Sequence, residues 1–308
     1  MDRERRPLRA LPGRGVHVGG LSSLGLSMTN LSQPTKAESI RLMKAGLAAA
    51  MRETAAQYVM PIFWIAALNG KPDLIDSGSA FMLDCGRGPF VVTANHVYQR
   101  YRKAKQQRAD TVCILGDLRF DLEARHVSSD PVYDVATFRI APEEIRKLAS
   151  YAGGKKIVLT GSQKTWPPNP PQIDCGAFFV GFPGDGRNMR PYRGNSLVEV
   201  DWTGYTALAV ANGVSSTDIT LILEHDHDFD VGLRPSIPND WALGCCSGAH
   251  LLTFVEQKGV FSWRLGGVIY ESSSTILKAS RADCLNPDGS VNSFPDPMAY
   301  QRLSSGRS

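Results

Sequence analysis

The chain has 308 residues, 43% of them hydrophobic and 21% charged, which excludes wholesale disorder and a small disulfide scaffold and supplies one large or two modest cores. The net charge is +4, and the first fifteen residues hold most of it, with Arg3, Arg5, Arg6, Arg9 and Arg14 against Asp2 and Glu4. The body therefore lacks the overall basic field on which nucleic-acid binding depends, which argues against nucleic acid as a partner.

The cysteines Cys85, Cys113, Cys175, Cys245, Cys246 and Cys284 form no CxxC pair and two are adjacent. That usage fits reduced thiols in a cytoplasmic protein and excludes a zinc ribbon. No apolar stretch follows the arginine-rich start, and the longest nearly apolar run, from Tyr58 to Leu68, is too short to cross a bilayer. Neither a signal peptide nor a membrane span is expected.

Residues 1–57 read as an N-terminal extension, basic and without period up to about residue 34. From there Thr35 and Glu38 have capping-box spacing, and Ile40, Met43, Leu47, Met51 and Ala55 recur every three or four positions, so an amphipathic helix is expected over 35–57. A first β-rich domain, 58–141, follows, with runs near Met60–Ala67, Gly78–Asp84, Pro89–Thr93, Thr111–Leu115, Phe120–Val127 and Asp134–Ile140. Pro142 to Tyr151 has proline in its first turn and Gly153–Gly154 beyond its end, which predicts a helical linker within 142–155.

A second β series fills 156–285: Lys156–Thr160, Ala177–Phe182, Ser196–Trp202, Tyr205–Ala211, Asp218–Glu224, His250–Glu256 and Ser262–Tyr270. The prolines of the Trp166–Pro171 segment lack donor N–H groups and predict an extended surface loop. The tail 286–308, with Pro287, Asp288, Gly289, Pro295 and Pro297, reads as loosely ordered. Two β-rich halves on either side of a short connector point to two sandwiches or barrels with a cleft between them.

Three segments could carry chemistry. Gly78–Asp84 and Phe90–Val97 read as a hairpin that delivers His96 at the end of its second strand. Asp134 opens an apolar strand, where a carboxylate is costly to desolvate unless it is hydrogen-bonded. In Gly244-Cys245-Cys246-Ser247-Gly248, small residues crowd round Ser247 before a new β-run, as a tight turn presenting one hydroxyl beside backbone N–H groups requires.

In that chain order, Thr93-Ala94-Asn95-His96, Asp134-Val135-Ala136 and Cys245-Cys246-Ser247-Gly248 resemble the His, Asp and Ser motifs of the trypsin-like (chymotrypsin-fold) serine peptidases. Val180–Gly184 is similar to the strand end found early in the second barrel of bacterial members, and Gly266–Tyr270 to the glycine strand that follows the nucleophile. The resemblance covers roughly residues 58–275. It implies an all-β fold of two antiparallel six-stranded barrels, here with an added N-terminal helix, and a serine endopeptidase that needs no metal or organic cofactor and acts on a protein or peptide. In that scheme Ser247 attacks the carbonyl, His96 shuttles the proton, Asp134 orients the imidazole, and the N–H groups of Cys245 and Ser247 form the oxyanion hole.

By position in the family pattern, Tyr270, Glu271 and Ser272 border the side-chain pocket and Trp241 lies near its base, where no carboxylate stands. A small or apolar residue is the expected preference. Cys246 stands where zymogen-derived members carry Asp, which places the chain nearer the bacterial intracellular type; Cys245 replaces the usual Gly two before the serine, and Ala249 and His250 replace the usual Gly-Pro after it. Two other readings are open: a catalytically weak or inactive peptidase-like scaffold that binds a protein or peptide, and a cysteine nucleophile at Cys246. Of the remaining candidates, the Glu224–Asp230 run, with His225 and His227, reads as a solvated loop before a metal site, and His126 and Asp130 as strand-surface and turn residues.

Overall fold

In the computed structural model the described residues are 41, 43–68, 71–150, 155–161, 166–190, 199–223, 246–257 and 260–292. The N-terminal extension up to residue 40, Trp241, Cys245 and the 224–230 run lie outside them. Among the described residues no helix is long and apolar enough to cross a membrane.

The fold is mostly β. Helix α1 (Ala48–Tyr58) buries Ala48, Met51 and Ala55, one stripe at helical spacing, and this stripe joins the core of the second half. The first half then builds β1 (Val59–Leu68), β2 (Lys71–Asp84), β3 (Pro89–Ala94), β4 (Val112–Leu115), β5 (Leu118–Arg119), β6 (His126–Asp130) and β7 (Val135–Arg139), with the order β5-β4-β1-β2-β3-β7-β6 and the short β8 (Leu159–Thr160) paired with β2. This sheet does not close, in contrast to the six-stranded barrel expected for 58–141.

Two helices interrupt it. Helix α2 (Asn95–Gln107) leaves the end of β3, and the single-turn α3 (Leu122–Arg125) occupies part of the expected strand Phe120–Val127. In α3 the Asp121 carboxylate accepts from the N–H groups of Glu123 and Ala124, a side-chain cap that starts a helix where the apolar content suggests a strand. The linker helix α4 (Pro142–Leu148) forms as expected.

Successive residues of the sheet serve two cores. Ala80, Met82 and Val91 pack with Tyr98 and Tyr101 of α2, whereas Phe81, Leu83, Phe90 and Val92 belong to the core shared with the second half. Burial on both faces explains why these strands are continuously apolar.

The second half opens with β9 (Gly176–Gly181), followed by a small ribbon of β10 (Arg187–Arg190) and β11 (Glu199–Trp202). Strands β12 (Tyr205–Val214), β13 (Asp218–Leu223), β14 (His250–Gln257), β15 (Val260–Ser272) and β16 (Ile276–Arg281) then close with β9 into one barrel, in the order β12-β13-β16-β15-β14-β9. Its closing strand β16 was not among the expected runs. Beyond it, Leu285 and Val291 pair across a turn whose Gly289 lies against the Phe90 ring, and the Gly289 carbonyl accepts from the Thr137 hydroxyl at 2.5 Å. The first residues of the expected loose tail are thus bound to the first sheet. Trp166, at the start of the proline loop, is tied down by donating from Nε1 to the Leu285 carbonyl at 2.6 Å.

Candidate active site

Two of the three sequence candidates touch directly. His96 is the second residue of α2, not the end of a strand, and its Nδ1 lies 2.6 Å from Oδ2 of Asp134. Helix α2 follows Ala94, which offers no side-chain cap, so its first N–H groups need partners from elsewhere. Asp134 supplies them: its main-chain carbonyl accepts from the Asn95 N–H at 2.9 Å and its Oδ1 from the His96 N–H at 2.7 Å. One residue thereby caps the helix and orients the imidazole. It does so with φ +51, a left-handed conformation that Asp tolerates better than most residues.

Ser247 reaches the same region from the other half. Its carbonyl accepts from the Ser79 N–H at 2.9 Å, and Gly248, with φ +91, sits so close to Ser79, Thr93 and Ala94 that a Cβ there would collide with the Ser79 carbonyl oxygen and the Thr93 hydroxyl. Glycine is required twice over, by the backbone angle and by the approach. Gly78 is needed for a related reason, since a Cβ would lie 2.9 Å from the Val97 methyl carbons and 3.3 Å from the Ser247 carbonyl oxygen. Ser79 is the hub of this joint: its carbonyl also accepts from the Thr93 hydroxyl at 2.7 Å and its Oγ from the Phe182 N–H at 3.0 Å.

The Ser247 hydroxyl donates to the Tyr270 carbonyl at 2.9 Å. Tyr270 in turn lines, with His96, Asp134, Gln99, Arg100 and Asp218, a cavity of about 620 Å³. Its phenol donates to Oδ1 of Asp218 at 3.2 Å, and burial followed by that carboxylate raises its pKa. The β15–β16 register shifts between Ile269 and Glu271, and this irregularity takes Tyr270 out of the regular pairing. Glu271 pairs with Lys278 at 2.8 Å and its side chain is 59% exposed, so its charge is already answered at the surface. Ser272 is half-buried on β15. Asp218 is a cavity residue that sequence reading missed, because it falls in none of the three motifs.

The rival groups have structural tasks. His126 stacks on Tyr98 with ring centroids 5.0 Å apart, its Nε2 is 3.1 Å from the Ser129 hydroxyl, and burial and then Arg102 depress its pKa. Asp130 accepts from the N–H groups of Val132 and Tyr133 and so closes the turn before Asp134. Cys246 is fully buried, packed against Gly181, and Ser247 beside it is 2% exposed. His250 is also fully buried, edge-on to Tyr58 and Phe81, and neither ring nitrogen has a hydrogen-bond partner among the described residues. Burial and then the nearby Lys156 push its pKa down to about 3, so the ring is neutral at ordinary pH. Among the described residues no group of three or more His, Cys, Asp or Glu side chains could hold a metal ion. No family model matches the chain, and no curated protein matches it.

Proposed function

We propose that this chain is a serine endopeptidase of the trypsin-like type, with Ser247 as nucleophile, His96 as general base and Asp134 as the orienting carboxylate. The observation that carries the reading is the 2.6 Å contact between His96 Nδ1 and Asp134, made where the Ser247–Gly248 turn docks against Ala94. The contact fixes the tautomer: Nδ1 holds its proton towards the carboxylate and Nε2 is left as the acceptor.

A serine hydroxyl has one proton to donate. In the resting arrangement it is given to the Tyr270 carbonyl, so attack requires that hydrogen bond to break and the hydroxyl to turn its proton to Nε2. Nε2 takes the proton as Oγ attacks the scissile carbonyl, the imidazolium returns it to the leaving amine as the C–N bond breaks to give the acyl-enzyme, and water, deprotonated by Nε2, then releases the free acid and restores the Ser247 hydroxyl. Oxyanion donors have to come from Ser247 and the residues before it. The two N–H groups after it are spent, Gly248 on the Ile269 carbonyl at 2.6 Å and Ala249 on that of Cys246 at 3.0 Å.

The same resting hydroxyl favours the second reading, a scaffold that binds a peptide without cleaving it. A fluorophosphonate probe separates the two. The endopeptidase is labelled at Ser247, and Ser247→Ala and His96→Ala both abolish the signal. A folded wild-type chain that binds peptides and takes up no probe is the scaffold.

A further inference from the structure

The gap left by the unclosed first sheet contains a second cavity of about 620 Å³. It is lined by Val112, Cys113 and Arg119 of β4 and β5 and by Arg139 of β7, the strand next to the far edge of the sheet. Helices α2 and α3 add Lys105 and Arg125, and the link between β5 and α3 adds Asp121.

The charges here are unequal in their commitments. Arg125 is held by Glu144 through two bonds, at 2.6 and 2.8 Å, and lies over the Phe120 ring. Lys105 is shared between Asp121 at 3.4 Å and Glu123 at 3.2 Å. Asp121, the one carboxylate in the lining among the described residues, is engaged by that lysine and by the two N–H groups it caps. Arg119 and Arg139 are exposed, and neither has a carboxylate partner among the described residues. Two uncommitted guanidinium groups, one on the edge strand β5 and one on β7, therefore border one concave space of ligand size. Each presents a planar fork of donors that matches a phosphate group, and their charge suits a dianion.

We propose that this gap is an anion-binding pocket for the phosphate group of a small molecule, with Arg119 and Arg139 as its two ligands. An irregular closure of the sheet then has a use, because a sheet closed by a longer β5 would fill the space with strand. The proposal does not depend on the peptidase reading, since the pocket shares no lining residue with the cavity at His96.

The test is isothermal titration of the full chain, at low salt, with inorganic pyrophosphate and with adenosine monophosphate. The wild type is expected to bind at least one of them. Arg119→Gln and Arg139→Gln are each expected to weaken binding about tenfold or more, the usual effect of losing a charge-assisted contact, while leaving thermal unfolding and fluorophosphonate labelling at Ser247 unchanged. Equal affinity for both probes identifies the phosphate alone as the recognised group; tighter binding of the nucleotide identifies an organic phosphate. No binding of either probe by the folded wild type overturns the proposal. So does binding that both variants retain.

Discussion

The two halves of the molecule make opposite use of β-structure. The second closes six strands round a core of Ala, Leu, Ile and Phe side chains, and every strand finds two neighbours. The first leaves its sheet twice, into α2 and into α3, and ends in a two-residue edge strand. The departures frame the two proposed sites: α2 brings His96 to Asp134, and the edge strand β5 borders the arginine-lined gap. A closed barrel solves packing; an interrupted sheet spends some of that regularity on placing side chains at helix ends, where backbone groups still need partners.

The contrast is broken most severely at Asp134. Asn retains the shape and tolerates the left-handed backbone, but it has one oxygen for two donors, so it cannot both cap α2 and accept from His96 Nδ1. Asp134→Asn is expected to slow labelling at Ser247 by about 10²–10⁴-fold, the range of general acid–base assistance, as read from probe kinetics. Next is the joint itself. Gly248→Ala adds a Cβ that collides with Ser79 and Thr93 at a positive φ, and a loss of about 3 kcal/mol or more in urea unfolding is expected, together with displacement of Ser247.

A third measurement compares the halves by pH. His250 has a folded-state pKa of about 3 against an ordinary 6.5, so between these values the unfolded chain binds the additional proton. Stability is retained above pH 6.5 and falls as the pH drops below it, by up to about 1.4 kcal/mol per unit from this residue. His250→Leu is expected to flatten that part of the curve, as followed by thermal unfolding from pH 7 to pH 4. The smallest effect belongs to Glu271 and Lys278 on the barrel surface. The pair is exposed, and Lys278→Ala should change stability by less than about 1 kcal/mol.

Legibility in the sequence followed the range of the interactions that set each element. Alternating or continuous apolar runs made most strands readable, because a strand's face is written in its own residues. Helix α2 was not readable. It buries Val97, Tyr98, Tyr101 and Ala104 at helical spacing, yet it begins without a local cap, its first N–H groups being satisfied by a residue 38 positions later. Strand β10, Arg187-Asn188-Met189-Arg190, lacks the β-branched composition of a strand and is held by pairing with β11. Of the candidate triad, the pairing of His96 with Asp134 was legible. The donation from Ser247 to the Tyr270 carbonyl was not, since it depends on a local register shift between two strands.

The clasp at Gly289 has a consequence for how the chain is made. Thr137 and the glycine carbonyl that it binds are 152 residues apart, so during synthesis the histidine-bearing half leaves the ribosome long before the segment that covers Phe90 exists. That half must therefore fold with its Phe90 ring still lacking the glycine that packs on it in the finished molecule.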